Sequence, residues 1–374
     1  MKTFNAGLYI NQGYYKSFQP NFINKEWKLE DMEILQLLSQ ADRELGRLDM
    51  FSKYVPNIDL FIQMHVAKEA TQSSKIEGTQ TNLEDAFLEK EDVPLDKRND
   101  WVEVQNYMQA MNHGMELLEH LPFSSRLIRQ THEVLLQGVR GEQKQPGKFR
   151  TSQNWIGGAS IKDAVFIPPV HSSVAELMSD IEKFAHNDSV YFPELLKIAI
   201  IHYQFETIHP FLDGNGRVGR LFITLYLVSK GILKRPILYL SDFFERNRGN
   251  YYDNLMGVRT KNDIGRWFKF FLVGIIETAQ NGIETFDRVL QLQKNSEIKI
   301  NGLGSRTANA QKVLHYLYQK PIINVSTIVG ITGLSSASAY KLANDMEKLG
   351  IFKEVTGAQR GRLYLYEDYI SLFK

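Results

Sequence analysis

The sequence predicts a mainly helical protein with a β-hairpin flap near its middle and a winged helix-turn-helix at its C-terminal end. Three observations carry this expectation. Apolar residues recur at helical spacing through most of the chain between Leu29 and Thr278. One stretch, residues 141–169, breaks that pattern with Gly, Pro, Ser and Asn and short alternating pieces. The tail, residues 303–374, reads as helix, glycine turn, longer helix and then an alternating pair about glycines.

A chain of 374 residues exceeds one average core. We expect an N-terminal region over 1–97, a core over 98–295 and the tail over 303–374, with a boundary in the polar stretch from Asn295 to Ala308. An apolar fraction of 43% and a charged fraction of 23% are ordinary for a soluble globular protein. A net charge of +1 supplies no global pull toward nucleic acid or anionic lipid. The absence of cysteine excludes disulfides and thiolate metal sites and suits a reducing compartment. The first residues lack an apolar signal core, and no apolar run approaches the roughly 18 residues that span a bilayer. The expectation is a cytoplasmic protein with no membrane partner.

In chain order, residues 1–28 read as an ordered arm or strand-rich lead-in, because tyrosines and phenylalanines are available to pack. Leu29 to Phe51 has helical spacing through Leu35, Leu38 and Leu45. A second helix, over about 59–78, carries Leu60, Ile62, Met64 and Val66 inward, with Asn57 or Asp59 as cap and Gly78 as its C′ residue. Glu77 then falls in the last turn, at the negative end of the helix dipole, where a carboxylate wants an external cation. Arg98 to His120 and Ser124 to Val139 are amphipathic. Within the flap, residues 146–169, the segments FRTSQNWI and AVFIPP can pair around GGASIKD. Val170 to Ala185 is helical; Phe192-Pro193 opens another helix. Tyr239 to Thr260 reads as one helix and Gly265 to Thr278 as a central apolar one.

The densest chemistry lies in HPFLDGNGRVGR, His209 to Arg220. An apolar run from Ile223 to Val228 follows, with Gly231 placed as a C-terminal stop, so the glycine-rich segment sits at a helix N-terminus. Free backbone N–H groups and the helix dipole there attract anions. Gly214 and Gly216 let the backbone approach an anion closely, and Asn215 adds side-chain donors. Arg217 and Arg220 are three apart, share a helix face and offer forked donors to phosphate oxygens. Asp213 beside phosphate is repelled unless a hard cation such as Mg²⁺ intervenes. His209, off the helix, is free to act as a base near neutral pH. Together these residues describe phosphoryl or nucleotidyl transfer from a nucleoside triphosphate to a hydroxyl.

HPFLDGNGRVGR also resembles the signature of Fic-domain proteins, with His209, Phe211, Asp213, Gly214, Asn215, Gly216, Arg217 and Arg220 all matching. The resemblance extends to the preceding GKFRTSQNWIGG and to the later pair Tyr251 and Tyr252. It implies a Fic-type helical core and transfer of AMP from ATP to a Ser, Thr or Tyr hydroxyl of a protein, itself included, with release of pyrophosphate. It further implies His209 as general base, Asp213 as Mg²⁺ ligand, Gly214 to Gly216 as phosphate cradle, and Arg217 and Arg220 on the outer phosphates. Tyr251 and Tyr252 would line the nucleotide pocket. Ile156 and Gly157 would clamp a target segment by strand addition. SSKIEG, from Ser73 to Gly78, is similar to the inhibitory motif of the subclass that carries its inhibitor upstream in the same chain. That supplies the cation for Glu77: Arg220, which would otherwise take the γ-phosphate.

Other readings stay open at the sequence level. A Fic relative can transfer another group, or Glu77 can orient water for removal of AMP from modified targets. The tail holds nine Lys/Arg against five Asp/Glu, which admits a DNA-binding regulator, although SSASAYKLANDMEKL is short of arginine. Protein docking or homodimerisation is the competing role for that tail.

Overall fold

The computed structural model describes residues 4–54, 58–139, 141–189, 191–358 and 361–374. Asn57 and the Leu60 side chain, both named above, lie outside what is described. The N-terminal arm is a hairpin, β1 (Gly7–Asn11) and β2 (Lys16–Pro20), antiparallel with Gly7 opposite Pro20. Asp180 anchors the arm's exit by accepting from the Ile23 N–H at 2.6 Å.

Helices then run as α1 (Met32–Tyr54), α2 (Ile58–Ile76), α3 (Arg98–Leu118), α4 (Ser125–Leu135) and α5 (Val174–His186). They continue as α6 (Glu194–Ile208), α7 (Asn215–Ser229), α8 (Ser241–Arg246), α9 (Arg248–Lys261) and α10 (Ile264–Asn301). α6 is buried on all sides, every residue from Leu195 to Ile208 included. It lies between α5, α7 and α10 as the axis of the core, and α1 packs along α10. α2 sits against α3, α7 and α8. Its end is a Schellman motif: Thr79 N–H donates to Ser74 O at 3.2 Å and Gly78 N–H to Lys75 O at 3.0 Å, with Gly78 at φ +103. Glu77 therefore lies at the helix C-terminus, as expected.

The C-terminal unit comprises α11 (Thr307–Leu317), β3 (Ile322–Asn324), α12 (Val325–Thr332), α13 (Ser336–Lys348), β4 (Lys353–Glu354), β5 (Leu363–Leu365) and α14 (Glu367–Ser371). Its sheet has the order β3-β5-β4, antiparallel throughout. Asn324 and Ser335 cap α12 and α13, and Gly333 at φ +71 turns between them. The unit seats on the back of α2 through Phe61 against Tyr318 and His65 against Phe373.

Three expectations are corrected. The stretch Tyr239 to Thr260 is two helices, broken at Asn247, whose side chain bonds back to Phe243 O at 3.0 Å. The central apolar helix does not stop at Thr278 but runs to Asn301, buried at wider intervals through Gly282, Phe286, Val289, Ser296 and Ile300. The flap is not a two-stranded hairpin: a single bridge joins Ile156 to Phe166. Prolines at 168 and 169 remove ladder donors, and glycines 157 and 158 adopt φ +68 and +76. Among the described residues no helix is long and apolar enough to cross a membrane.

Candidate active site

α6 ends at Ile208 because Pro210 excludes the α region for the residue before it. His209 instead adopts the left-handed region, φ +49 and ψ +62, which a non-glycine residue holds only when its surroundings enforce it. They do. Its N–H donates to Phe205 O at 2.9 Å, and its carbonyl accepts from Arg150 Nε and Asn154 Nδ2, each at 3.0 Å. Arg150 also reaches Pro169 O at 2.5 Å and Ile208 O at 3.3 Å, so one buried guanidinium clamps the flap's exit to the end of α6. Burial lowers the His209 imidazole to a pKa of about 4, with Arg259 and Arg150 adding to the fall and Glu77 opposing it. The ring is neutral at pH 7, and its Nδ1 has no hydrogen-bond partner among the described residues.

The loop from Phe211 to Gly214 is fixed by backbone contacts. Asn154 Nδ2 and Asn215 Nδ2 both donate to Phe211 O at 2.9 Å, and Phe211 N–H donates to Asn215 Oδ1 at 2.8 Å. Gly214 stands at φ +74 as the N-cap of α7. The first N–H groups of α7 consequently open onto a cleft of about 290 Å³ lined by Glu77, Glu206, His209, Asp213, Gly216, Arg220 and the tyrosines 251 and 252. Asp213, with 40% of its side chain exposed, offers a carboxylate to that cleft. Among the described residues no group of three or more metal-ligating side chains gathers anywhere. A hard cation held here by Asp213 would complete its shell with phosphate oxygens and water, which is the usual state of Mg²⁺.

Arg220 is buried, and its Nε and Nη2 are both engaged. Nε donates to Ser73 Oγ at 2.8 Å, and Nη2 donates to Ser73 O at 2.8 Å and to Glu77 Oε1 at 2.7 Å. Only 2% of the Arg220 side chain is exposed against 37% for Glu77, so the carboxylate stands at the cleft's mouth over a buried cation. Burial pushes the Glu77 pKa up, but Arg220, with Arg217 and His209, outweighs it and holds the carboxyl below its ordinary value. Gly216 makes the approach possible: a Cβ there would stand 2.3 Å from Glu77 Oε1.

Tyr251 is buried, stacked on Phe244 at 4.5 Å, and its hydroxyl donates to His202 Nε2 at 2.8 Å. His202 Nδ1–H donates in turn to Gly219 O at 2.9 Å, tying the tyrosine to α7. Tyr252 is 40% exposed beside it. Ile156 and Gly157 also line the cleft, and β2 continues into the flap through Phe18 N–H to Ile167 O at 2.9 Å. Arg259 stacks over Phe166 of the flap at 3.9 Å while donating to Glu206 O and Thr207 Oγ1 at 3.0 Å.

Most residues singled out in the sequence thus converge on one cleft. Two are used differently. Asn215 offers the cleft its backbone, since its side chain is turned back on Phe211. Arg217 is buried beneath the loop, paired with Glu103 at 3.0 Å and Asp213 at 3.3 Å, and does not line the cleft. Sequence reading missed Arg150, Asn154, His132, His202, Glu206 and Arg259. No local pattern marks them: each is defined by a partner elsewhere in the chain, as His202 is by Tyr251 and Gly219. Glu206 is a buried acid whose Oε1 lacks a hydrogen-bond partner among the described residues; burial raises its pKa to about 7, with Glu77 adding and Arg220 opposing.

Comparison with known proteins places this cleft in a class. The family model described as Fic/DOC family N-terminal matches residues 35–116, and that described as Fic/DOC family matches 122–227. The chain belongs to the Fic/DOC family. It is 27% identical over 253 residues to a probable protein adenylyltransferase of Aquifex aeolicus, covering 65% of this chain and 72% of that protein. It is 31% identical over 125 residues to the protein adenylyltransferase Fic of Aedes aegypti, covering 33% of this chain and 22% of that one. The chain thus spans most of the bacterial relative and under a third of the mosquito one. Among solved structures, a Fic family protein from Desulfovibrio desulfuricans superposes with a TM-score of 0.58 at 20% identity, covering 91% of this chain and 98% of the other. A Fic domain containing signaling protein from Bacteroides thetaiotaomicron gives 0.52 at 18% identity, covering 68% and 97%. These likenesses establish the fold.

Proposed function

We propose that this protein is a self-inhibited protein adenylyltransferase. The observation that carries the reading is Arg220 held by Ser73 and Glu77 at the edge of a helix N-terminus that also presents His209 and Asp213. In the reaction, a Ser, Thr or Tyr hydroxyl oxygen attacks the α-phosphorus of ATP. The bond from that phosphorus to the bridging oxygen breaks, and pyrophosphate leaves. His209, neutral at pH 7, takes the hydroxyl proton. The N–H groups at the start of α7 bind phosphate oxygens, and Arg220 holds the outer phosphate once Glu77 releases it. Mg²⁺, when bound by Asp213, neutralises phosphate charge. Tyr251 and Tyr252 bound the nucleotide, and the flap around Ile156 and Gly157 aligns the target segment. With Glu77 in place, Arg220 is occupied and ATP binds weakly or in an unproductive pose. The test is incubation of the unsubstituted chain and Glu77→Gly with labelled ATP and Mg²⁺ in a cell lysate, reading labelled bands.

A second role is supported in the C-terminal unit, read as a winged helix. α13 turns Lys341, Asn344 and Lys348 to solvent, while Asp345 is drawn to Arg306. That leaves a weakly basic outward face suited to nucleic-acid phosphates. A gel shift of the full chain with duplex DNA that weakens with added salt is expected; no shift at low salt removes the role.

A further inference from the structure

We propose that His132 is a positioning residue for the phosphate loop, holding Asp213 and the start of α7 in register through a neutral imidazole whose two nitrogens bridge separate chain segments. The inference rests on the adenylyl-transfer reading above. His132 is fully buried on α4. Its Nδ1 accepts from the Gly147 N–H at 2.9 Å, and its Nε2 lies 2.9 Å from Asp213 O. A backbone N–H can only donate and a carbonyl can only accept, so Nε2 carries the proton and the tautomer is fixed. The ring lies flat on Phe211, centroids 3.7 Å apart and planes 7° apart. A Cβ on Gly214 would stand 3.3 Å from Nε2, so the same ring also roofs the left-handed cap of α7.

Three features of the loop therefore meet one imidazole: the Phe211 ring, the Asp213 carbonyl and the Gly214 backbone. The carbonyls before them are held otherwise, Pro210 O by the Arg150 N–H at 2.8 Å and Phe211 O by Asn154 and Asn215. Asp213 O is the point where α4 grips the loop. Without that grip the backbone that carries Asp213, the residue assigned to the cation, loses its tie to α4. The carboxylate is then left to its contacts with Arg217 and the Gly214 N–H, the kind of loss that weakens a metal ligand whose supports are removed. Gly147 leads into the flap, so His132 also keys the flap's base to the loop it covers.

Two substitutions separate positioning from mere packing. In His132→Gln the side-chain amide can still donate to Asp213 O but leaves the Gly147 N–H unpaired. In His132→Asn the side-chain oxygen can still accept from Gly147 but cannot reach Asp213. Each removes one buried hydrogen bond, so a packing role alone would move both alike. In the Glu77→Gly background we would measure Mn²⁺ binding in the presence of α,β-methylene ATP, a readout that needs no transfer. The expected result is a Kd for Mn²⁺ raised about tenfold or more in the Asn variant and within about threefold of the parent in the Gln variant, since supports of metal ligands are typically worth 10–100-fold. Equal affinities in the two variants, whether weakened together or unchanged from the parent, would overturn the role of His132 alone. Failure of the Glu77→Gly parent to bind the pair would overturn that role and the adenylyl-transfer reading together. Should the Asn variant not fold, the Nε2–H resonance of His132 in the Glu77→Gly parent serves: it is expected to shift when Mg²⁺ joins the analogue complex, and an unmoved resonance would overturn the assignment.

Discussion

Replacing Glu77 by glycine perturbs the molecule at the contact proposed to restrain it. The substitution removes one 2.7 Å ion pair and leaves Arg220 with Ser73 alone. The magnitude follows from the asymmetry of the pair. Fully exposed pairs are worth about 0.2–1 kcal/mol, and breaking a buried pair costs about 3–5 kcal/mol. With Arg220 2% exposed and Glu77 37% exposed, screening places this pair between those limits, at about 1–3 kcal/mol. That is the free energy the outer phosphate of ATP must displace. A midpoint of about 2 kcal/mol corresponds to roughly thirtyfold. The assay is the initial rate of label transfer from α-labelled ATP to the chain itself, at subsaturating ATP with Mg²⁺. We expect Glu77→Gly to label about 10–30 times faster than the unsubstituted protein. Glu77→Gln, which keeps a hydrogen-bonding oxygen but loses the charge, should fall between. Since the folded Glu77 carboxyl titrates below its ordinary value, its contribution is present above the unfolded pKa and is lost only as pH falls through the lower folded one. Inhibition should hold across neutral pH. Labelling of Glu77→Gly equal to or slower than that of the unsubstituted chain would refute the reasoning.

The remaining predictions concern the base and acid stability. His209→Ala should abolish transfer while ATP binding to the Glu77→Gly background stays within about threefold, measured by calorimetry; residual transfer at the parental rate would remove His209 from its role. His65, His132, His202 and His209 are lowered by burial from 6.5 to about 3–4 in the folded chain. The unfolded chain therefore binds more protons below about pH 6.5, and stability should fall as pH drops from there toward 4. Urea midpoints followed from pH 7 to pH 4.5 check this; constant midpoints would contradict it.

How much of this could be read from sequence depends on how local the cause is. HPFLDGNGRVGR is contiguous, and its glycines, arginines and imidazole state their chemistry side by side. Glu77 was legible as an acid misplaced at a helix end, and its partner followed once the motif was recognised. What stayed hidden was settled by partners far along the chain. Arg217 looks like a phosphate ligand until Glu103, 114 positions away, is seen beside it. Arg150 and Asn154 read as flap residues, yet their side chains clamp the carbonyls of His209 and Phe211. The break at Asn247 escaped periodicity because a single residue separates the end of α8 at Arg246 from the start of α9 at Arg248. α10 was cut short for a related reason: beyond Thr278 its buried face narrows while the helix continues.

On the proposed function, the transferred group is AMP and Glu77 restrains its transfer. Intact mass spectrometry of the Glu77→Gly chain after incubation with ATP and Mg²⁺ tests it most directly. Addition of one adenylyl group per modified hydroxyl is expected, lost with His209→Ala and much reduced in the unsubstituted protein. A phosphate-sized addition, or the same adenylyl occupancy with Glu77 intact, would contradict it.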